Sequence, residues 1–452
     1  MKVHFIAIGG SAMHNLAIAL HLKGLKISGS DDEIFEPSKT RLEKYGLLPD
    51  KIGWDENNIT PDVDAVILGM HAKEDNPELI KAKKSGIKIF SYPEYLYELS
   101  KSKTRVVIGG SHGKTTITAM ILHVLKHFDI NTDYMVGAQL DGFDVMVKIS
   151  DDAPFMILEG DEYLSSPIDK RPKFHLYKPN IALISGIAWD HINVFPTFEN
   201  YIEQFEKFVD IIEPNGKLIF NKSDEHVDNI CKNSRREDIE LLPYSLPDYK
   251  IENGKTFILS NNNSYDLSIF GKHNLLNLNG ARLVCNQLGV SDSMFYRAIK
   301  SYKGASKRLE VIYKNDSSVV FKDFAHAPSK IKATTEAAKE QYPDKKIFAC
   351  IELHTYSSLN KDFLKHYKNT LKKADIAYVY YNPHTLKIKK LPEVDIEYIK
   401  EAFGKEGLEV FTDSSDLFER IKTHELSDTC LLFMSSGSFD GIDLNEFAKS
   451  YF

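Results

Sequence analysis

The stretch Gly109-Gly110-Ser111-His112-Gly113-Lys114-Thr115-Thr116 decides how the rest of the chain is interpreted. It follows the mostly apolar run 105–108 and precedes a helical pattern over residues 117–126. A strand, a glycine turn and a helix that begins with Lys-Thr place backbone N–H groups around an anion, as triphosphate-binding loops do. In that arrangement Lys114 reaches the phosphate oxygens and the Thr115 hydroxyl contacts Mg²⁺. The alternative is a glycine-rich turn with a surface lysine, and Ile108 stands where the standard motif has its first glycine.

The composition is that of an ordinary globular protein. The chain has 452 residues, 42% hydrophobic and 27% charged, which predicts two or three domains. A formal charge of −7 gives no support for binding to nucleic acid or to an anionic membrane. There is no run of about 18 apolar residues and no secretory signal pattern, so we expect no membrane span and a cytoplasmic protein. Four scattered cysteines without a CxxC pair indicate reduced, mostly buried thiols: Cys231, Cys285, Cys350 and Cys430.

The first hundred residues alternate short apolar runs with helical patterns. Strands are predicted over 3–8, 26–30, 65–70 and 87–90, and a helix over 12–23, which indicates βαβ units and a parallel sheet. The turn Ile8-Gly9-Gly10-Ser11 is a weakened dinucleotide motif, and Asp31 follows the second strand where a ribose-binding acid stands. This pattern fits NAD, and it fits any nucleotide pyrophosphate at a helix N-terminus. We predict a Rossmann-like domain over residues 1–102.

A central domain over residues 103–300 is predicted to contain the glycine-rich stretch. Two of its strands end in polar clusters: residues 155–158 lead into Glu159-Gly160-Asp161-Glu162, and residues 181–184 lead towards Trp189-Asp190-His191. Ligands bind beyond the carboxyl ends of parallel strands, so both clusters are expected to face the phosphate loop. Residues 216–270 are more polar and predict an irregular or antiparallel insertion.

Residues 301–452 predict a third domain, a second doubly wound α/β unit. Its strands are expected over 319–323, 346–351, 376–381 and 430–434, with a helix over 329–340. The overall fold class is therefore α/β with three domains.

Several polar side chains are candidates for binding or catalysis. Glu159 and His191, with Thr115, form a candidate ligand set for one or two Mg²⁺ ions, although a hydrogen-bonded turn histidine is the simpler interpretation of His191. Asp161 and Glu162 either support that site or form a solvated acidic turn.

Other candidates lie towards the C-terminus. His273 and Asn277 share one helix face and are expected either to bracket a nucleobase or to cap the helix. Lys307-Arg308 follows Gly304 and is either a phosphate-contacting pair or a surface pair. Asp323 and His326 follow a strand, where they enter a cleft or cap the next helix.

Together these motifs resemble the Mur ligases, ATP-dependent enzymes that form amide bonds in peptidoglycan synthesis. The resemblance rests on the shortened phosphate loop, Glu159-Gly160-Asp161-Glu162, Asp190-His191, His273-Asn274-x-x-Asn277, Lys307-Arg308 and the segment 323–328, all in the family order. It covers all three domains. It implies a UDP-binding first domain, a central P-loop ATPase domain and a third domain that binds the amino substrate.

The resemblance also implies the chemistry and the roles of residues. A muramate carboxylate attacks the γ-phosphate of ATP, and an amine then attacks the resulting acyl phosphate. The implied catalytic residues are Lys114, Glu159, His191 and Arg308, and the implied metal ligands are Thr115, Glu159 and His191. The implied ATP-binding set is Gly110, Ser111, His112, Gly113, Lys114, Thr115, Thr116, His273, Asn277, Arg308 and Asp323. The UDP-sugar set is Gly9, Gly10, Ser11, Asp31 and His71.

Within the family, residues 169–174 (Asp-Lys-Arg-Pro-Lys-Phe) and 436–442 are similar to members that attach a recovered tripeptide to UDP-N-acetylmuramate. We therefore expect a tripeptide amine, L-Ala-γ-D-Glu-meso-diaminopimelate, bound by Arg171, His326 and Ser436. Transfer to L-alanine is the alternative, and a non-catalytic nucleotide-sugar sensor is a second one. Residues 203–206 (Glu-Gln-Phe-Glu) stand where several relatives carbamylate a lysine, so no carbamylated lysine is expected. The expected partners are small-molecule substrates, without nucleic acid or membrane.

Overall fold

The computed structural model describes residues 1–140, 142–189, 194–304 and 308–451. The chain divides into two compact units. The first comprises Met1–Trp189, Val194–Ser245 and Leu278–Ala298, and the second contains Leu246–Asn277 and residues 299–451. Each unit is described on its own below.

The first unit begins with a four-stranded parallel sheet in the order β2-β1-β3-β4. Its strands are β1 (Lys2–Ile6), β2 (Lys26–Ser30), β3 (Ala65–Leu68) and β4 (Lys88–Ser91), connected by α1 (Ser11–Leu22), α2 (Ser38–Lys44) and α3 (Pro77–Lys84) and followed by α4 (Tyr92–Ser100). Local sequence explains the helix starts. The Asn76 side chain accepts from two backbone N–H groups of α3, and Ser91 with Glu94 forms a capping box on α4. The predicted βαβ alternation is confirmed.

A seven-stranded sheet follows in the order β11-β10-β9-β5-β8-β6-β7, and only β7 runs antiparallel to its neighbour. Its strands are β5 (Thr104–Gly109), β6 (Thr132–Met135), β7 (Val147–Lys148), β8 (Phe155–Glu159), β9 (Ile181–Ile184), β10 (Lys217–Asn221) and β11 (Glu240–Tyr244). The helices are α5 (Lys114–His127), α6 (Phe198–Asp210) and α7 (Glu225–Asn233), and residues 173–176 form a short 3₁₀ helix. The central strands β5, β8 and β9 are mostly apolar, as is usual where helices cover both faces of a parallel sheet. β5 lies between β8 and β9, so the carboxyl ends of all three strands meet.

The prediction for residues 216–270 is wrong in its first half. Residues 217–244 form β10, α7 and β11, which extend the parallel sheet. The segment is polar because α7 is amphipathic, whereas the edge strand β11 lacks an alternating pattern: Glu240, Leu241 and Pro243 are exposed and only Tyr244 is buried. Only β12 (Tyr249–Glu252), β13 (Lys255–Ser260) and β14 (Asn263–Leu267) form the antiparallel meander that was expected, and this meander belongs to the second unit.

The second unit also contains a six-stranded sheet in the order β15-β16-β20-β17-β18-β19, parallel except for β15. Two helices have residues in both units, α8 (Lys272–Gln287) and α9 (Asp292–Ile299). The strands are β15 (Glu310–Lys314), β16 (Val319–Asp323), β17 (Lys346–Glu352), β18 (Ile376–Tyr380), β19 (Glu409–Phe411) and β20 (Thr429–Met434). The helices are α10 (Pro328–Gln341), α11 (Lys361–Leu364), α12 (Pro383–Ile388), α13 (Ile396–Phe403), α14 (Ser414–Lys422) and α15 (Leu444–Tyr451). This confirms the predicted second doubly wound arrangement.

Two expectations about the whole chain concern membranes and thiols. In the part of the chain that the structure describes, no helix is both long enough and apolar enough to cross a membrane. All four cysteines are buried and unpaired, as predicted.

Candidate active site

The phosphate loop joins β5 to α5 through two glycines that no other residue could replace without strain. Gly110 has φ +125° and Gly113 has φ +83°, backbone conformations that side chains rarely allow. A Cβ on Gly110 would lie 2.2 Å from Ser185 Oγ, at the end of β9. The loop therefore packs tightly against the neighbouring strand and opens at the N-terminus of a 14-residue helix, where unpaired N–H groups attract phosphate.

Lys114 is the first residue of α5, and its ammonium is already held in place. Nζ donates to Glu162 Oε2 at 2.6 Å and to the carbonyl oxygen of Gly110 at 2.7 Å. Burial alone would lower the pKa of Lys114, but the carboxylates of Glu162, Asp161 and Glu159 outweigh it and raise that pKa. The lysine is therefore charged at neutral pH and is positioned beside the loop.

Behind Lys114, a hydrogen-bond chain leads back to the phosphate loop through Tyr201. The Tyr201 hydroxyl donates to Glu162 Oε1 at 2.9 Å and lies 2.9 Å from Ser111 Oγ. Ser111 Oγ in turn accepts from the backbone N–H of Ala188 at 2.9 Å. Tyr201 lies on α6 and is fully buried. Sequence reasoning missed it because its partners are 39 and 90 residues away, and only its place on the buried face of an amphipathic helix was readable.

Thr115 and Glu159 form the part of the proposed metal site that the structure describes. The Thr115 hydroxyl donates to Glu159 Oε1 at 2.8 Å, and Glu159 Oε2 accepts from the backbone N–H of Gly137 at 2.9 Å. Among the described residues no group of three or more His, Cys, Asp or Glu side chains could hold a metal by itself. One hydroxyl and one carboxylate beside a phosphate loop nevertheless fit Mg²⁺, which takes few protein ligands and completes its shell with phosphates and water. His191 and Asp190 lie outside the described residues, so the histidine's metal role stays a prediction.

A cavity of about 380 Å³ in the first unit joins the glycine turn after β1 to this acidic pair of strand ends. Its wall includes Gly10, Ser11 and His71, which follow strands of the first sheet, and Glu159, Asp161 and Lys173, which lie at or after the end of β8 in the second. Three of the five predicted UDP-sugar residues thus line one cavity with the predicted metal ligand.

The other two UDP-sugar candidates, Gly9 and Asp31, are not among the residues that line this cavity. The Asp31 Oδ2 atom accepts from the backbone N–H of Gly9 at 2.7 Å, and the side chain is buried. Burial raises the pKa of Asp31, and the Gly9 hydrogen bond opposes that rise. One Asp31 oxygen, Oδ2, therefore holds the glycine turn. A ribose would have to be contacted by the other oxygen, Oδ1, which accepts from the backbone N–H of Asp32.

Arg171 and Lys173 differ in their surroundings. The Arg171 guanidinium is mostly exposed and pairs with Asp169, 2.6 Å away at its shortest contact, and with Glu94 at 3.5 Å. This pairing with Asp169 raises the pKa of Arg171. Lys173 is largely buried and pairs with Asp161. Of the three basic side chains in residues 169–174, Lys170 and Arg171 therefore lie at the surface and Lys173 lines the cavity.

In the second unit, several candidates gather at the carboxyl end of β16. Asp323 accepts from the Leu309 N–H at 3.3 Å and from the Thr334 hydroxyl at 2.5 Å. The Arg308 guanidinium lies 4.6 Å from the centre of the Phe324 ring. His326 Nδ1 lies 2.8 Å from the carbonyl oxygen of Phe324. The predicted cluster of Arg308, Asp323 and His326 is therefore present, and Lys307 lies outside the described residues.

The remaining candidates of that unit occupy separate positions. Burial lowers the pKa of His273 on α8, and the nearby Asp323 carboxylate opposes that change. Asn277 is buried one helical turn further on. The Ser436 hydroxyl follows β20 and is buried, with no hydrogen-bond partner among the residues described here. Neighbouring Ser435 donates to Glu352, whose carboxylate also accepts from Phe439 N at 2.9 Å.

Taken together, the first unit holds an α/β glycine-rich loop of the kind that binds nucleotide triphosphates, next to a second glycine turn that lines a cavity. Comparison with known proteins agrees with this class. Residues 2–104 match the Mur ligase family catalytic domain, residues 108–285 the Mur ligase middle domain, and residues 307–437 the Mur ligase glutamate ligase domain.

Individual relatives cover most of the chain. The UDP-N-acetylmuramate–L-alanine ligase of Sulfurihydrogenibium sp. is 33% identical over 371 residues, 80% of this chain and 78% of that protein. The protein of the same name from Clostridium acetobutylicum is 32% identical over 380 residues, 80% of each chain. Among solved structures, the UDP-N-acetylmuramate-alanine ligase of Thermotoga maritima has a TM-score of 0.70 at 22% identity, covering 100% of this chain and 98% of that one. The murein peptide ligase of Psychrobacter arcticus has a TM-score of 0.64 at 23% identity, with the same coverage.

The chain belongs to the Mur ligase family. It is accordingly a three-domain, ATP-dependent ligase that forms amide bonds in peptidoglycan biosynthesis, which confirms the family prediction and excludes the sensor alternative. The two curated relatives described above are named L-alanine ligases, whereas the two structural neighbours are below 25% identity and establish the fold alone.

Proposed function

We propose that the chain joins the lactyl carboxyl group of UDP-N-acetylmuramate to the amino group of L-alanine, with ATP converted to ADP and phosphate. The observation that carries this choice of amine is the name shared by the relatives with about one third identical residues over four fifths of both chains. Those relatives favour L-alanine over the tripeptide that residues 169–174 predict.

The proposed reaction has two steps. A carboxylate oxygen attacks the γ-phosphorus of ATP, the bond to the β-phosphate oxygen breaks, and an acyl phosphate and ADP result. The amine then attacks the acyl carbon, loses a proton, and phosphate leaves as the amide forms. Negative charge gathers on the transferring phosphoryl group, so positioned cations are the main source of rate acceleration.

Lys114 is the residue best suited to that task. Its charge is ensured by Glu162, and its Nζ is already beside the loop carbonyl of Gly110. When a triphosphate enters, its oxygens compete with Glu162 for the three N–H donors of the ammonium. Thr115 and Glu159 would hold Mg²⁺, which supplies further positive charge at the phosphates when bound.

The acid substrate would lie in the cavity of the first unit. Its pyrophosphate suits the glycine turn at Gly10 and Ser11, where α1 begins, and its sugar would extend towards Glu159. Asp31 would act by holding that turn, and His71 would contact the UDP-sugar from the cavity wall. The proposed ATP-binding residues of the second unit are Arg308, Asp323, His273 and Asn277.

A tripeptide amine is the second candidate, and one observation favours it. Residues 169–174 carry three basic side chains and are similar to a segment of tripeptide-using family members. Arg171 at the surface would bind a peptide carboxylate only in exchange for Asp169, its present partner. His326 and the buried Ser436 hydroxyl would contribute from the second unit under the same proposal.

An ADP-release assay with UDP-N-acetylmuramate and ATP separates the two amines. We expect kcat/KM for L-alanine to exceed that for L-Ala-γ-D-Glu-meso-diaminopimelate by on the order of tenfold or more, the discrimination that a pocket shaped for one ligand gives. Arg171→Ala should then change neither value, with Lys170→Ala as the matched exposed control. A preference for the tripeptide that Arg171→Ala removes and Lys170→Ala retains would reverse the assignment.

A further inference from the structure

The cavity that joins the two sheets of the first unit has an unusual balance of charge. Its wall carries two carboxylates, Glu159 and Asp161, and a single Lys or Arg side chain, that of Lys173. The other lining residues are small, aliphatic, aromatic or thioether-bearing, and the polar ones among them include Ser11, Ser165 and His71. An anionic group of a ligand that enters this cavity would be repelled by both carboxylates unless a cation lay close to it.

The position of Lys173 is fixed by the backbone on both sides. Its N–H donates to the Tyr163 carbonyl at 2.9 Å, and the N–H of Phe174 donates to the Asp161 carbonyl at 3.1 Å. These bonds attach the segment to the loop after β8, the strand whose last residue is Glu159. Lys173 and Glu159 therefore cannot move far apart without breaking backbone hydrogen bonds.

Its side chain is held as firmly but retains hydrogen-bonding capacity. Nζ contacts Asp161 Oδ2 and lies 5.7 Å and 5.6 Å from the ring centres of Tyr92 and Tyr163. The side chain is only 15% exposed. An ammonium has three N–H donors, and within the described residues only Asp161 accepts one. Two donors thus remain for a ligand in the cavity.

We propose that Lys173 binds the lactyl carboxylate of the acid substrate and thereby selects a UDP-sugar acid over a neutral UDP-sugar, an inference that rests on the proposed function. The carboxylate must approach Glu159 and its metal to react, and it arrives as an anion. Lys173 offsets that charge at the cavity wall, with Asp161 and the two tyrosine rings keeping the ammonium in place. Lys114 does not take this role, because Glu162 and Gly110 hold it beside the phosphate loop.

Calorimetric titration with two ligands that differ in the carboxylate tests this role without turnover. UDP-N-acetylmuramate carries the lactyl carboxylate, and UDP-N-acetylglucosamine lacks it. Lys173→Met should weaken binding of the acid by about tenfold or more, which is the affinity typically lost when one hydrogen bond to a charged group is removed. It should change binding of the neutral sugar by less than about twofold, as should the exposed control Lys170→Met for both ligands.

Lys173→Arg keeps the proposal testable if the methionine variant folds poorly, since it retains the cation and should retain the preference for the acid. Equal weakening of both ligands by Lys173→Met, or no weakening of either, would overturn the assignment and leave the lysine a structural partner of Asp161. Failure of the wild type to bind UDP-N-acetylmuramate at all would instead overturn the proposed function, and this inference with it.

Discussion

The first unit contains two turns of the same local design that differ in what surrounds them. One connects β1 to α1 through Gly9 and Gly10, and the other connects β5 to α5 through residues 109–113. Both follow a buried parallel strand and precede a helix of at least 12 residues. In the first, the carboxylate of Asp31 occupies the Gly9 N–H, and Gly10 has an ordinary φ of −58°.

The second turn is built differently. Gly110 and Gly113 adopt positive φ, and Lys114, Glu159 and Glu162 surround the loop. Backbone N–H groups at a helix N-terminus favour an anion, whereas phosphoryl transfer also requires a fixed cation and metal-binding groups. The comparison predicts that equivalent substitutions in the two turns will have unequal effects.

The largest effect is expected from Lys114→Met. Loss of this cation should reduce ATP turnover by about 100-fold or more, because it removes a positioned charge at the transferring phosphate. Binding of the UDP-sugar, measured by calorimetry, should stay within about twofold, since the first turn is intact.

The same variant leaves Glu162 buried without its cation, so it also tests stability. The double variant Lys114→Met/Glu162→Gln should recover thermal stability but not turnover. Recovery of turnover together with stability would show that Lys114 has only a structural role.

Alanine at Gly110 and at Gly10 gives the most direct comparison of the turns. Gly110→Ala places a Cβ 2.2 Å from Ser185 Oγ at φ +125°, so we expect a loss of about 2 kcal/mol in unfolding free energy and weaker ADP binding. Gly10→Ala meets Met13 Cγ at an ordinary 3.4 Å and should change stability by only about 0.5 kcal/mol. Urea denaturation and ADP titration measure both. Equal losses in the two variants would mean that the turns are equally constrained.

Much of the fold was predictable because its signals are local. Apolar runs located all four strands of the first sheet and the central strands of the other two parallel sheets, and β9 and β16 begin and end at the predicted residues. The phosphate loop and Glu159 were predictable for the same reason, since strand ends are readable and parallel strands bring their carboxyl ends together.

Contacts between distant segments were not predictable in this way. Nothing in the pattern of residues 201–205 indicates that the Tyr201 hydroxyl contacts Glu162 and Ser111. Residues 169–174 look like a single basic turn, yet the alternating direction of Arg171 and Lys173 divides them between the surface and a cavity. The edge strand β11 was missed because it contains Pro243 and shows no regular alternation of buried and exposed residues, a pattern that an edge strand tolerates.

Tyr201→Phe tests whether the hydrogen-bond chain behind the phosphate loop holds Lys114 in place through Glu162. Removing the hydroxyl deprives Glu162 and Ser111 of one partner each, and we expect KM for ATP to rise by on the order of tenfold while kcat changes less. The matched control is Tyr244→Phe, because the buried Tyr244 hydroxyl has no hydrogen-bond partner among the described residues. Identical kinetics in the two variants would remove Tyr201 from the site.

The smallest expected effect concerns the packing behind the second turn. The Phe174 ring lies 3.5 Å from where a Cβ on Gly109 would be, and the His175 ring stacks on Phe174 at 4.7 Å. His175 Nε2 donates to the carbonyl oxygen of Gln204 at 2.7 Å. Burial lowers the pKa of His175 to about 4, although the Gln204 bond opposes that change. The folded protein thus favours the neutral ring.

The sign of the pH dependence follows from the two states of His175. The unfolded chain binds the proton near pH 6.5 and the folded chain only near pH 4, so the stabilisation is complete above pH 6.5 and is lost as the pH falls towards 4. At pH 5.5 this one group should lower the free energy of unfolding by about 1 kcal/mol relative to pH 7.5. Urea denaturation at the two pH values should show that His175→Gln loses about 1 kcal/mol less free energy of unfolding on acidification than the wild type does. The exposed control His21→Gln should lose as much free energy of unfolding on acidification as the wild type. If His175→Gln loses as much too, the acid sensitivity belongs to other groups. One of them is His14 beside Gly10, whose pKa is also lowered by burial.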